Sequence, residues 1–279
     1  VTYKEAKDRA IMTLTNMKEL EKIQGFYYHF YNLFTGEIAT GSELSVIDTA
    51  IFVIGALMAG EYFGGEVEEL ANEIYSKVNW PWFIHNDKNQ FYMGYNPDTE
   101  EFTVTNTWDT YGEQLMMYFL AAGSPTKRFR IDQSVYDDFV KHYGTYTSTT
   151  TGEKYVFINS WFGSIFTYQF SHAFIDFRNI IDSEGIDWYQ NSVIATKCAR
   201  QYCIDNPEGF STRTHNANSW GLTAFEGKYG YKVFGAPPFG FYDKEIDMPI
   251  DGSVAPYAAL SSIVYTPEES IGALKYFAS

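Results

Sequence analysis

At 279 residues, with 45% hydrophobic and 20% charged residues and no Pro/Gly/Ser-rich linker, the sequence reads as a single globular domain over 1–279 with one large core. A net charge of −15 disfavours nucleic acid and anionic membrane as partners and leaves a neutral polysaccharide open. The aromatic share is high at 19%, from 23 Tyr, 23 Phe and 6 Trp; it suits core packing and equally stacking on sugar rings.

The chain opens on Val rather than Met without a signal-peptide pattern, which reads as a mature or excised form; extracellular or periplasmic placement is expected. Residues 4–22 predict a helix, and 26–34 leading into Thr35-Gly36 predict a short hairpin. The stretch 46–63 is apolar on nearly every face, as an interior helix would be. Its longest apolar run, 50–59, is about half the length a bilayer needs. The next stretch, 66–78, repeats Val67, Leu70, Ala71, Ile74 and Val78 at helical spacing with Glu66, Glu69, Glu73 and Lys77 opposite. An inner helix followed by an outer one predicts an all-α toroid of stacked helical hairpins.

Residues 90–104, around Asn96-Pro97-Asp98-Thr99, predict a second hairpin at one end of that ring. Further helices are expected at 108–122, 133–142, 166–179, 188–203 and 267–277. Thr266-Pro267-Glu268-Glu269 supplies the last with an N-cap, a first-position proline and first-turn acids. The Gly/Pro/Thr-rich stretches 145–153 and 227–250 read as loops lining or covering a cleft. Cys198 and Cys203, five apart on one expected helix, read as two free, largely buried thiols.

Two glutamates stand out because each sits in a small-residue or aromatic tract beside an apolar helix, where an unused carboxylate is costly. Glu43 lies in Gly41-Ser42-Glu43-Leu44-Ser45-Val46-Ile47-Asp48. Ser45 and Asp48 have capping-box spacing, whereas Glu43 has no such local role and reads as catalytic or substrate-binding. Glu113 lies in Trp108-Asp109-Thr110-Tyr111-Gly112-Glu113, with Asn106 and Asp109 at cap spacing and Asp109 and Glu113 expected on one helix face. Beyond it the chain turns apolar through Leu115, Met116, Met117, Tyr118, Phe119 and Leu120. A carboxyl at such an edge suits a general acid; the alternative is a core glutamate satisfied by a neighbouring Arg or Tyr.

The tract 168–178 places His172 and Asp176 on one face of the expected helix, with Arg178 beyond. No third ligand stands at metal spacing and no Gly-x-Ser-x-Gly turn occurs, so the preferred reading is a hydrogen-bonded pair supporting a cleft wall. Arg178 would bind sugar hydroxyls or neutralise a carboxylate. His29, His85, His142 and His215 are scattered. Trp220 and Glu226, in 218–227, offer a ring platform and an acid before a glycine, and Asp251, in Asp251-Gly252-Ser253, places an acid at a helix start.

Together these tracts resemble a known family, the glucoamylase-like bacterial proteins that include endo-β-1,2-glucanases. The resemblance runs from about Gly25 to Phe277. It is carried by Gly25-Phe26-Tyr27-Tyr28-His29-Phe30, the Glu43 tract to Ala50, Val78-Asn79-Trp80-Pro81-Trp82, the tract from Trp108 to Glu113 and Ala122-Gly123-Ser124-Pro125. Ser171-His172-Ala173-Phe174-Ile175-Asp176-Phe177-Arg178, Trp220-Gly221-Leu222-Thr223-Ala224, the Asp251 tract to Ala259 and Thr266-Pro267-Glu268-Glu269-Ser270 continue it. The resemblance implies an (α/α)6 toroid, here expected to lack the family's first helices. It also implies a glucan hydrolase without cofactor or metal, inverting in mechanism. It assigns Glu113 as proton donor and Glu43 as base, or Asp251 acting through water. Trp80, Trp82, Trp108, Asp109, Tyr111, His172, Asp176, Arg178, Trp220 and Glu226 fall on the substrate side. Thr40 stands where some glucanases of the family carry an acid, and Glu226 where Asp is common. The alternatives are a non-catalytic glycan-binding protein, or a transglycosylase or glucosidase of different linkage.

Overall fold

The computed structural model describes residues 1–102, 107–207, 214–227, 230–240 and 250–279. Val104 at the end of the predicted second hairpin, the cap residue Asn106 and part of the 227–250 loop lie outside them. Backbone packing divides the chain into two compact units: Val1–Asp109 with Gln114–Val140, and Thr110–Glu113 with Lys141–Ser279.

In the first unit, α1 (Tyr3–Glu19) starts in a full capping box. Thr2 Oγ1 accepts from the Glu5 amide, and the Glu5 carboxylate accepts from the Thr2 amide at 2.7 Å. Strand β1 (Leu44–Ser45) runs into α2 (Val46–Phe63), whose N-cap Ser45 accepts from the Asp48 amide. Gly64 and Gly65, at φ 62° and 61°, then reverse the chain into α3 (Glu66–Ser76) within two residues, a conformation that glycine adopts without steric cost. Val67, Ala71 and Ile74 of α3 are buried, as the amphipathic spacing requires.

Helix α2 has the length and composition of a membrane span, and Val46, Ala50, Val53, Ile54 and Ala56 along it are buried. The interior reading holds for one face only, since Met58 and Tyr62 are exposed. Strands β2 (Ile84–His85) and β3 (Gln90–Phe91) pair antiparallel, and β1 joins β4 (Gly94–Asn96) and β5 (Glu101–Phe102) in a three-stranded antiparallel sheet. The β4–β5 pair is the predicted second hairpin. Residues 26–34 make only isolated bridges, such as Tyr28 to Leu44 and Tyr31 to Ile38. Gly25, at φ +84°, brings this segment against the end of α3; a Cβ there would lie 2.4 Å from the Lys77 carbonyl oxygen. Helices α4 (Leu115–Gly123) and α5 (Ser134–Asp137) complete the unit.

In the second unit, β6 (Tyr143–Thr147) and β7 (Lys154–Ile158) form a regular hairpin; of the stretch 145–153 expected to be loop, 148–153 is its loop and 145–147 belong to β6. Helix α6 (Trp188–Asp205) is capped by Asp187, which accepts from the Gln190 amide at 2.8 Å. Strands β8 (Ala224–Gly227) and β9 (Gly230–Val233) pair antiparallel, and α7 (Pro256–Ser261) and α8 (Pro267–Phe277) close the chain. Thr266 stands at the N-cap of α8, but its hydroxyl bonds back to the Ser262 carbonyl rather than capping. Trp220, Leu222, Phe234, Ala258, Ala259 and Ala273 form the core of this unit. Cys198 and Cys203 are both free and buried.

Three predicted helices are corrected. Residues 108–114 are not helical: 110–113 pack in the second unit and Gln114 begins a run in the first, so one helix cannot serve both cores. Of 133–142, only the single turn α5 is helical. In place of the helix predicted over 166–179 stand two 3-10 turns, Ile165–Tyr168 and Ser171–Ala173. The Ile165 amide donates to the Leu222 carbonyl and the Phe166 amide to Thr223 Oγ1.

Candidate active-site residues

In the first unit, the 27–30 and 42–45 segments run antiparallel. The His29 amide donates to the Glu43 carbonyl at 2.8 Å, and the Ser45 amide to the Tyr27 carbonyl at 3.0 Å. Side chains directly opposite in such a pair meet. His29 Nδ1 lies 3.0 Å from Glu43 Oε1, and its Nε2 lies 3.7 Å from Asp48 Oδ2. Asp48 is held in turn by Ser45 Oγ at 2.5 Å. Glu43 therefore has a local partner that its spacing did not reveal.

Trp80 is fully buried, edge-on to Phe26 at 5.7 Å, and cannot stack on a sugar in this arrangement. Trp82 is half-buried against Tyr95 and Phe102, each at 4.9 Å. Trp108 is buried, its amide donating to the Phe91 carbonyl. Asp109 is half-buried, and its carbonyl accepts from the Val140 amide. Asp109 and Glu113 share no helix face, since neither is helical.

In the second unit, Tyr111 is buried and stacked on Trp188 at 4.7 Å, with Tyr168 at 5.6 Å. Burial pushes its hydroxyl well above the ordinary tyrosine value, with Tyr168 and Tyr265 adding to the effect and a Ser192 hydrogen bond opposing it. Glu113 is half-buried, and its backbone carbonyl accepts from Ser171 Oγ at 2.6 Å. That bond fixes the start of 171–178, the wall of a cavity of about 380 Å³. His172, Phe177, Arg178, Tyr189, Val264 and Tyr265 line it.

His172 and Asp176 both belong to this wall, but on irregular backbone rather than one helix face. His172 Nε2 lies 3.0 Å from Ser192 Oγ; burial pulls the imidazole down to about 4, outweighing the opposing pull of Asp176 and Asp187. Asp176 is gripped by Arg178 through Nε at 2.8 Å and Nη2 at 2.6 Å, which lowers its carboxyl to about 2. The exposed Asp176–Arg178 pair cancels its own charge, leaving aromatic faces at the mouth. Such a lining fits an uncharged polyhydroxyl ligand.

Two expectations fail here. Trp220 is no platform: it is fully buried in the core, where Gly221 at φ +123° lets the chain pass 2.6 Å, measured from an added Cβ, from the Ala255 carbonyl oxygen. Asp251 does not start a helix: α7 begins five residues on, and Asp251 closes a turn by accepting from the Ser253 amide at 2.9 Å. Partial burial raises the Asp251 carboxyl, but the Ser253 bonds and Lys232 outweigh it and hold it below its ordinary value. Glu226 is exposed on β8. Among the described residues no group of three or more His, Cys, Asp or Glu side chains is placed to hold a metal ion.

Sequence reasoning missed His29, Ser192, Tyr189 and Tyr265. His29 stands in the aromatic tract Gly25 to Phe30, a signal that could have drawn notice; Ser192 is an ordinary helix serine with no signal.

Residues 105–279 match the sequence profile of the family described as "Putative glucoamylase". A curated relative, the exo beta-1,2-glucooligosaccharide sophorohydrolase (non-reducing end) of Parabacteroides distasonis, is 22% identical over 310 aligned positions. That alignment covers 99% of this chain, which spans only 41% of the relative's length. The crystal structure of a "putative glucoamylase" from Bacteroides uniformis superposes with a TM-score of 0.83 at 26% identity, covering 99% of this chain and 67% of that one. The endo-beta-1,2-glucanase of Chitinophaga pinensis, solved with sophorotriose and glucose, gives 0.81 at 23% identity, covering 100% and 67%, a likeness of fold.

Proposed function

The chain belongs to the "Putative glucoamylase" family, and on that premise we propose that it hydrolyses a glucan, β-1,2-linked, by carboxylate acid–base catalysis with inversion. The observation that carries this reading is Glu113: a half-buried carboxyl whose own backbone is bonded to the first residue of the wall lining a charge-neutral, aromatic cavity. Glu113 is the proton donor. Glu43 is the base, or Asp251 acts in its place through a water. The α2–α3 pair, reversed by two glycines, and the α7–α8 pair support reading the helices as hairpins of an (α/α)6 ring. The β-1,2 preference is supported by the sophorohydrolase and glucanase relatives.

The test is reducing-end release from linear β-1,2-, β-1,3- and α-1,4-glucans by the wild type and Glu113→Gln, with product anomers followed by NMR. Turnover of the β-1,2-glucan alone is expected, with Glu113→Gln lowering kcat by about 10²–10⁴, the range general acid catalysis contributes. A folded Glu113→Gln protein with undiminished turnover defeats the donor assignment. Binding of the oligosaccharide by the wild type with no release identifies a glycan-binding protein instead.

A further inference from the structure

The base reading of Glu43 leaves open what holds its carboxylate in place, and the first unit contains the group that does so. We infer that His29 is a positioning residue for Glu43. The two residues lie opposite each other where their segments pair, so the backbone bond from the His29 amide to the Glu43 carbonyl sets the distance between their side chains. Nδ1 then falls 3.0 Å from Glu43 Oε1. A carboxylate only accepts, so the proton on Nδ1 makes this contact a hydrogen bond.

The ring itself is held on one further side by stacking and faces a carboxylate on another. Its face stacks on Phe30, with centroids 4.1 Å apart and planes 10° apart, and its far nitrogen points toward Asp48 at 3.7 Å. Asp48 is immobilised by the Ser45 hydroxyl and by its own amide bond to the same oxygen at the start of α2. Stacked on Phe30, the imidazole holds Glu43 through Nδ1, while its far nitrogen at 3.7 Å lies beyond hydrogen-bond distance of Asp48. Oε1 of Glu43 is committed to His29, which fixes the direction of the other oxygen. Both side chains keep 39% of their surface open, so the carboxylate remains reachable by water and substrate. A base must present one oxygen along a defined line to its proton, and a misplacement of about 1 Å can cost roughly 100-fold in rate.

Two amide side chains separate the roles of the two ring nitrogens. His29→Asn would place an NH₂ near the position of Nδ1, and His29→Gln would place one near Nε2. With β-1,2-glucan as substrate, His29→Ala and His29→Gln are expected to lower kcat about 100-fold with KM little changed, while His29→Asn restores it to within about tenfold of wild type. Equal kcat in His29→Asn and His29→Gln, whether high or low, overturns the inference, because packing on Phe30 alone would not distinguish them. That comparison stands even if His29→Ala fails to melt cooperatively. Glu43→Gln is the control for the underlying reading. An active Glu43→Gln protein removes Glu43 as base and takes the His29 role with it. An inactive one with no Asn/Gln difference leaves the base standing and rejects His29 alone.

Discussion

His172 shows how burial in the cavity wall changes what a residue can do. Its imidazole is pulled down to about 4 from an ordinary 6.5, so near neutrality it is uncharged and interacts with Ser192 as a neutral ring. A depressed histidine gives folding a defined pH dependence. Between those two values the unfolded chain binds the proton and the folded chain does not. The contribution is complete above about pH 6.5 and is lost as the pH falls toward 4. Its full size is about 3 kcal/mol at most, from 1.36 kcal/mol per unit. Urea unfolding of the wild type and His172→Gln at several pH values isolates it, because the carboxylates titrating in the same range are common to both. The stability difference is expected to move against the wild type by up to that amount between pH 7 and 4. Parallel curves would mean that the folded ring is protonated as readily as the unfolded one.

Elements were legible where local signals agreed and illegible where distant partners decided. Helices α2 and α3 announced themselves through the Ser45 cap and the spacing of Val67, Ala71 and Ile74, and both formed. Residues 166–179 had the composition of a helix, yet only 3-10 turns form, anchored to distant residues by the Phe166 amide on Thr223 Oγ1 and the Ser171 hydroxyl on the Glu113 carbonyl. The 145–153 stretch read as loop because Thr, Ser and Gly serve turns, and 148–153 is one; Thr145, Tyr146 and Thr147 instead extend β6 of the β6–β7 hairpin, since threonine is also a strand former. What fixes the tip of that hairpin is Asp205, the last residue of α6. It accepts from Tyr146 Oη at 2.6 Å, Ser148 Oγ at 2.9 Å, Thr150 Oγ1 at 2.5 Å, Gln201 Nε2 at 2.9 Å and the Thr149 amide at 3.1 Å. Burial raises its carboxyl, but the donors from Thr150, Tyr146, Gln201 and Ser148 outweigh that and hold it well below 3.8. A depressed carboxyl contributes stability that is complete above its unfolded value and lost as the pH falls below it. Asp205→Asn, whose amide turns a donor toward donors, is expected to cost about 1–3 kcal/mol at pH 7, with the deficit shrinking below about pH 4. Hydrogen exchange at Thr149 reads the local effect: it should quicken in the variant at neutral pH, and an unchanged rate would show that Asp205 does not hold the tip.

At the scale of the whole chain, the sequence predicted the family and its aromatic richness but not where the rings go. Phe26, Trp80, Phe83, Tyr111, Trp188 and Trp220 are buried, so packing rather than sugar contact uses many of them. Their side of the pattern was unreadable because an aromatic in a core and one in a cleft look alike in one sequence. Nor does chain order predict the two compact units, since Thr110–Glu113 belongs with Lys141–Ser279 although unit-one residues flank it. That insertion has a consequence for stability. Tyr111 is buried against Trp188 and Tyr168 and fills space that 141–279 cannot fill by itself. Losing a large buried aromatic costs on the order of 3–5 kcal/mol, a major part of the roughly 5–15 kcal/mol that holds a typical protein folded. A fragment of residues 141–279 should therefore retain far-ultraviolet dichroism, lose near-ultraviolet dichroism and bind a hydrophobic dye, the signature of a core without fixed packing. Tyr111→Ala in the full chain should lose stability in that same range by urea unfolding. A fragment that melts as sharply as the intact protein, with Tyr111→Ala near neutral, would show that the second unit closes its core without the four inserted residues.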